Sequence, residues 1–446
     1  MQKLIWPSDF VNQIICGHVL DVLKEMPDEC VDTIITSPPY WGLRDYGEET
    51  KTMWGGDPEC KHKWVNTAGK KLRGTNDGNW KESIPSAHLP GGLLCQKCGA
   101  WYGQLGLEPT LDMYIEHLLQ ITAELKRILK PTGVMFWNHG DCYGGSGCGK
   151  GDYRNNNEVS LSNPNLYSDK PNPQLKLTPK CICLQNYRLI LRMIDEQGWI
   201  LRNIIIWNKP NGMPSSVKDR MANKYEPVFM LTKKRKYWFD LDAIRIPQKE
   251  SSIERVKYKH SKSGGKGKGD GKKFGFSQEC RTYNNPNYPN LLHPLGKNPG
   301  DVWQIPTQPF PEAHFATFPE KLVEPMIKAG CPQWICKKCG KARVRIGKVI
   351  GKERVSWGVD RKARVLGTPG KPAMRNITKT EGWTDCGCNA EWESGIVLDP
   401  FIGSGTTALI ALQLGRRFIG IDISPKYCEM ARRRIRNELR QLKFLF

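Results

Sequence analysis

Val397-Leu398-Asp399-Pro400-Phe401-Ile402-Gly403-Ser404-Gly405-Thr406-Thr407 reads as a buried strand, a glycine turn and the first turn of a helix. Gly403 and Gly405 let the backbone approach a ligand closely, and a helix N-terminus offers free amide donors. The next apolar run, Arg417 to Asp422, ends in a second acid. A carboxylate there can hold two ribose hydroxyls, as in dinucleotide folds. The phosphate fingerprint G-x-G-x-x-G is incomplete, because Ala408 stands at its third glycine, and the turn has no Walker sequence. The expected ligand is a nucleoside without a pyrophosphate, which suits S-adenosylmethionine.

Outward from this turn, strands alternate with helices. Ser424 reads as an N-cap with Pro425 at the first helical position, and Tyr427, Ala431, Ile435 and Leu439 share one face of the helix that follows. Near the N-terminus, Val11 to Cys16 reads as a strand, His18 to Met26 as a helix and Val31 to Thr36 as a buried strand. Apolar residues from Leu111 to Lys130 recur at helical spacing until Pro131-Thr132-Gly133 stops them, and Val134 to Trp137 is the next strand. Leu184 to Gln197 predicts a helix; Trp199 to Trp207 and Pro227 to Leu231 predict strands. Such alternation implies a mostly parallel sheet covered on both sides.

Thr36-Ser37-Pro38-Pro39-Tyr40-Trp41 follows a buried strand directly. Two prolines fix φ and remove two backbone donors, so the bend presents carbonyl acceptors and the Ser37 hydroxyl. An exocyclic amino group is a poor nucleophile, because its lone pair is delocalised into the ring. Acceptors on its two hydrogens pull it toward sp³ and aim the lone pair at a methyl sulfonium carbon. Tyr40 offers a ring face on which an extruded base can stack.

The chain has 446 residues, 39% of them apolar, with 67 Lys and Arg against 45 Asp and Glu, a net charge of +22. That excess points to a polyanionic partner, without separating DNA from RNA or an anionic membrane. No apolar stretch is long enough to span a bilayer, and Met1 to Phe10 lacks the pattern of a signal peptide. A cytoplasmic protein with no membrane partner is expected, so its 16 cysteines are not read as disulfides.

The two bends together resemble those of the amino-methylating DNA methyltransferases, N4-cytosine and N6-adenine. Their order, catalytic turn first and cofactor turn last, resembles the circularly permuted beta group. His314-Phe315-Ala316-Thr317-Phe318-Pro319-Glu320-Lys321-Leu322 resembles the family's third cofactor-side motif. Trp207-Asn208-Lys209-Pro210-Asn211-Gly212-Met213-Pro214 resembles a further family segment. The resemblance implies a Rossmann-like S-adenosylmethionine-dependent methyltransferase sheet of α/β class with target-recognition insertions, and the cysteine spacing adds zinc-knuckle insertions to it. It implies that Asp399, Phe401, Gly403, Gly405, Thr406 and Asp422 contact the cofactor, with Phe318 and Pro319 on its other side. Ser37, Pro38, Pro39 and Tyr40 would hold the base. In the family, Ser at the first catalytic position accompanies cytosine, and Asp or Asn accompanies adenine. Methylation at cytosine C5 needs a cysteine after a proline, and no Pro-Cys pair occurs.

Cys60, His62, Cys95 and Cys98 supply one set of zinc-type ligands, and Cys336, Cys339, Cys386 and Cys388 a second. Gly follows the second thiolate of each C-x-x-C, at Gly99 and Gly340. His88 is a rival ligand for the first set and Cys331 for the second. Both read as closed, structural sites; a catalytic zinc deaminase would need H-x-E beside P-C-x-x-C, and neither is present.

The expected layout places the catalytic half of the core at 1–49 and 106–240, with a zinc-knuckle insertion at 50–105. The cofactor half is expected at 301–335 and 389–446, with a second zinc knuckle at 336–388. Target recognition is expected at 241–300, with residues 141–180 as a long loop that also reads the target. Gly144 to Gly151 resembles a phosphate loop but has Gly151 where magnesium needs Ser or Thr. The run Lys233-Lys234-Arg235-Lys236 fits a DNA-facing hairpin or a solvated surface equally well. The reading is a base-flipping DNA methyltransferase acting on duplex DNA at cytosine N4, with a cognate restriction enzyme as a possible partner. N6-adenine methylation, RNA methylation and an inactive zinc-containing DNA-binding protein are the alternatives.

Overall fold

The computed structural model describes residues 4–67, 92–143, 180–212, 214–215, 217–251, 295–308, 318–356 and 373–443. The phosphate-loop-like run, most of the expected target-recognition segments, His88 and His314 to Thr317 lie outside them. The described chain divides into two units. The first comprises Met1–Phe239, Asp301–Ile335 and Trp392–Phe446; the second comprises Asp240–Gly300 and Cys336–Glu391.

The first unit is built on eight strands: β1 Gln13–Cys16, β2 Val31–Thr36, β3 Leu129–Asn138, β4 Ile200–Asn208, β5 Tyr225–Thr232, β6 Val302–Gln304, β7 Ile396–Asp399 and β8 Arg417–Asp422. Their order across the sheet is β1-β8-β7-β2-β3-β5-β4-β6. Neighbours run parallel except around β5, which is antiparallel to both β3 and β4. This is the expected mostly parallel sheet. The first and last thirds of the chain meet in its middle, where β2 pairs with β7.

Among the described residues, six helices cover the sheet: α1 Val19–Glu25, α2 Leu111–Ile128, α3 Gln185–Asp195, α4 Glu320–Gly330, α5 Thr406–Gln413 and α6 Pro425–Lys443. Central strands are buried on both faces, so neighbouring residues feed different cores. Ile34 and Leu398 pack with Leu23, Leu118 and Leu189 of α1, α2 and α3. Ile35 and Val397 pack with Leu322, Ile410 and Ala431 of α4, α5 and α6. Thr110 caps α2 by accepting from the Met113 amide. α2 ends at Ile128, short of the expected Lys130, and β3 begins at Leu129 and runs through Pro131-Thr132-Gly133, with a register shift against β2 between Val31 and Thr33. No helix among the described residues is long and apolar enough to cross a membrane.

A four-stranded antiparallel sheet in the first unit, Thr52–Trp54, Trp101–Gly103, Leu93–Cys95 and Trp64–Asn66, carries the first cysteine set. The second unit contains a long antiparallel ribbon, Arg345–Ser356 with Ala373–Trp383, and the second cysteine set.

Candidate active site

The β7–α5 turn is shaped by its glycines and braced from beneath. Gly403 and Gly405 have φ of +48° and +85°, the left-handed region that glycine adopts freely. A Cβ on Gly405 would lie 2.8 Å from the Ala431 Cβ, so α6 packs directly on the turn. Asp399 is buried, and its oxygens accept from Thr36 Oγ1 at 2.7 Å, the Phe401 amide at 3.1 Å and Thr407 Oγ1 at 2.7 Å. Burial raises its carboxyl to about 6 against those bonds. Arg434 of α6 reaches the Ser404 carbonyl at 2.8 Å and Glu320 Oε1 at 3.3 Å, tying the turn to the start of α4 just after Phe318 and Pro319.

At the end of β8, Asp422 accepts from the Gly403 amide and the Ser424 amide, each at 2.9 Å. Two oxygens with one protein donor each retain lone pairs for further hydroxyl donors. Burial pushes this carboxyl up to about 6, against the Ser424 and Gly403 amide bonds. The rings of Tyr46 and Tyr427 meet edge to face near it, 6.4 Å apart. Burial raises both phenols, and Asp422 adds to the rise in each. These donor types fit the nucleoside end of S-adenosylmethionine.

The Ser37-Pro38-Pro39-Tyr40 bend leaves β2 beside this turn. Ser37 Oγ lies 3.0 Å from Tyr40 Oη. The half-buried Tyr40 ring stacks on His139, with centroids 5.2 Å apart and planes 27° apart. A Cβ on Gly140 would come within 2.7 Å of Tyr40 Cε2, so only glycine permits this approach. His139 occupies one face of Tyr40. Trp41 is instead a buried anchor: its amide donates to Gln185 Oε1 and its indole to the Glu108 carbonyl.

His139 is not a general base here. Tyr114 Oη donates to the Pro39 carbonyl at 2.7 Å and therefore accepts from His139 Nε2 at 3.1 Å. Trp137 Nε1 donates to His139 Nδ1 at 3.3 Å. Both ring nitrogens are thus spent, and burial lowers the imidazole to about 3.

Phe318 also lines a small cleft at the strand ends, with Thr36, Asn138 and Val228. The structure therefore gathers Ser37, Tyr40, Asp399 and Phe318 around neighbouring strand ends. Sequence reasoning missed Tyr46, Asn138, Glu226 and Arg434. Asn138 directly follows the predicted strand Val134 to Trp137 and ends the observed one; the others carry no local motif.

Each cysteine set converges. The ligand atoms of Cys60, His62, Cys95 and Cys98 lie within 4.8 Å of one another, as do those of Cys336, Cys339, Cys386 and Cys388. Cys98 Sγ is 3.4 Å from His62 Nδ1, and Cys60 Sγ is 4.0 Å from Cys95 Sγ. A tetrahedral zinc with bonds of about 2.3 Å to sulfur puts ligand atoms roughly 3.8 Å apart, so the donor set fits that ion. Gly99 and Gly340 both adopt positive φ, and their amides donate back to the Cys95 and Cys336 carbonyls. Cys331 lies outside the second set, fully buried against the Pro332 carbonyl.

A parallel-centred sheet, an acid-braced glycine turn and a proline bend at adjacent strand ends define a Rossmann-like methyltransferase with permuted motif order. The chain belongs to the DNA methylase family of the N6/N4 type, whose model matches residues 31–334 and 389–433, and it is a DNA methyltransferase. It is 27% identical to the type II methyltransferase M.XycI of Xanthomonas campestris pv. cyanopsidis, covering 98% of this chain and 93% of that protein. It is also 27% identical to the type II methyltransferase M.Cfr9I of Citrobacter freundii, covering 95% and 87%. A solved structure of the PvuII DNA methyltransferase (cytosine-N4-specific) aligns at a TM-score of 0.44 and 15% identity, covering 94% of this chain and 85% of that one.

Proposed function

We propose that the chain methylates the N4 amino group of cytosine in duplex DNA, within a type II restriction-modification system like those its relatives are named for. The observation that carries this reading is the Thr36–Asp399 bond, which sets the Ser37 bend beside the glycine turn. S-adenosylmethionine supplies an electrophilic methyl group when bound. Asp422 would hold its ribose hydroxyls, and Gly403, Gly405, Thr406, Phe401, Phe318 and Pro319 would complete its site. Asp399 acts from behind, fixing the turn. Ser37 and the carbonyls of Pro38 and Pro39 accept from the amino group, while the face of Tyr40 away from His139 carries the flipped ring. The two cysteine sets hold structural zinc and stiffen insertions with little core of their own.

Transfer of tritium from labelled S-adenosylmethionine to mixed-sequence duplex DNA tests the reaction. Label on DNA well above a heat-killed control is expected. Label on RNA alone, or on neither polymer, would overturn the reading.

A further inference from the structure

The proline bend ends in a hydrogen-bonded chain whose direction can be assigned atom by atom. Tyr40 Oη lies 3.0 Å from Ser37 Oγ, 3.0 Å from Glu226 Oε2 and 3.2 Å from Asn138 Oδ1. Glu226 Oε1 pairs with Lys209 Nζ at 2.5 Å, and that ammonium sits 4.2 Å from the centroid of the Trp207 ring. Both charged side chains are largely buried; Glu226 lies on β5, which pairs with β3 where Val228 faces Asn138, and Lys209 follows the end of β4, which pairs with β5.

A phenol has one proton to give. Burial first, and the Glu226 charge second, hold the Tyr40 phenol well above its ordinary value, so it stays protonated. The Glu226 carboxylate is an acceptor only. So is Asn138 Oδ1, which faces Tyr40 because the NH2 of the same amide donates to the Pro227 carbonyl at 3.2 Å. The phenolic proton therefore goes toward Glu226, the shorter and charge-assisted bond. Ser37 is left as the donor to Tyr40 Oη. Its hydroxyl proton is thereby turned away from the bend, and its lone pairs remain to accept.

We propose that Glu226 is a positioning residue that sets the polarity of Ser37 through Tyr40, making Ser37 an obligate acceptor toward the target amino group. This rests on the reading that Ser37 holds that amino group. No group is transferred along the chain; the carboxylate only fixes which way its protons point. Lys209 completes the device. In Glu226→Gln, Lys209 keeps the amide oxygen on its own side and turns the amide NH2 toward Tyr40. That NH2 displaces the Ser37 hydroxyl as donor to Tyr40 Oη, so even with the phenolic proton on Asn138 Oδ1 the Ser37 proton is freed toward the incoming amine. In Glu226→Ala, Asn138 Oδ1 still takes the phenolic proton and Ser37 keeps its polarity.

The isosteric change should therefore be worse than the truncation, which a merely structural role would not produce. The test is single-turnover methyl transfer at saturating cofactor and DNA, with cofactor Kd measured beside it. Glu226→Gln should slow transfer at least about tenfold and Glu226→Ala clearly less, with cofactor Kd within about twofold in both. In a Tyr40→Phe background, which cuts the link, Glu226→Gln should have no further effect. A Glu226→Gln rate within about twofold of wild type, an alanine variant slower than the glutamine one, or an undiminished effect in the Tyr40→Phe background would each overturn the proposal. Ser37→Ala separates the two readings. If it transfers at the wild-type rate, the role given to Ser37 fails; if it is slow while Glu226→Gln is not, only the Glu226 proposal fails.

Discussion

Thr36 Oγ1 donates to Asp399 Oδ1 at 2.7 Å, joining residues 363 positions apart. One residue precedes the proline bend and the other opens the glycine turn. Parallel pairing of Val397 with Thr33 and Leu398 with Ile34 brings them level. The bond is buried, so it serves both the register of the central strands and the geometry of the cleft above them.

Thr36→Val should leave the buried Asp399 one donor short. A loss of about 1–3 kcal/mol of unfolding free energy is expected, read from urea melts at pH 7. Asp399 also carries a pH signature. Its folded carboxyl is raised to about 6 from 3.8, so the folded chain holds this proton more tightly than the unfolded one. Its contribution to stability is fully present below about pH 4 and is lost as pH rises through about 6. Asp399→Asn should flatten stability across that window; an unchanged slope would contradict the assignment.

Asp422 should govern cofactor binding through its charge. Its carboxyl sits at about 6, and hydroxyl donors favour the ionised form, so affinity should fall as pH drops below about 6 and level off above 7. Calorimetric titration with S-adenosylmethionine from pH 5 to 8 reads this directly. Asp422→Asn should bind at least about tenfold more weakly at pH 7.5 and lose the pH dependence.

The cysteine sets should carry about two zinc ions per chain, one at each. Cys95→Ser and Cys336→Ser should each lower the content by about one, measured by elemental analysis of the purified chain. Strong chelators should lower the melting temperature without changing the order of the core strands.

The signals that were readable in the sequence are local ones. Gly403 and Gly405 announce a turn by their own conformational freedom, Pro38-Pro39 by its fixed φ, and each cysteine pair by its spacing. The helix from Leu111 to Ile128 announces itself by period. Glu226 gives no such signal: it becomes part of the bend because β5 runs antiparallel between β3 and β4, which places it opposite Trp207 and near Asn138. Arg434 and Tyr46 likewise acquire partners only once α6 and the sheet are assembled. The strand that starts at Leu129 was hidden because Pro131 and Gly133 read as a stop, and the pairing with β2 tolerates the break through a register shift. Val302–Gln304 is too short to stand out, yet it pairs with β4. The run that begins at Lys233 reads equally as a DNA-facing hairpin or a solvated surface; the structure pairs Lys233 with Glu29 and the Leu129 carbonyl.

Tyr40 bears most directly on the central claim that base and cofactor share one cleft. Duplex DNA should be incubated with S-adenosylmethionine bearing a deuterated methyl group, digested, and its nucleosides weighed by mass spectrometry. Wild type should yield deuterated N4-methylcytosine. Tyr40→Ala should yield none while binding cofactor within about twofold of wild type. Deuterium in adenine would contradict the cytosine assignment, and full methylation by Tyr40→Ala, or no labelled base from wild type, would contradict the shared cleft itself.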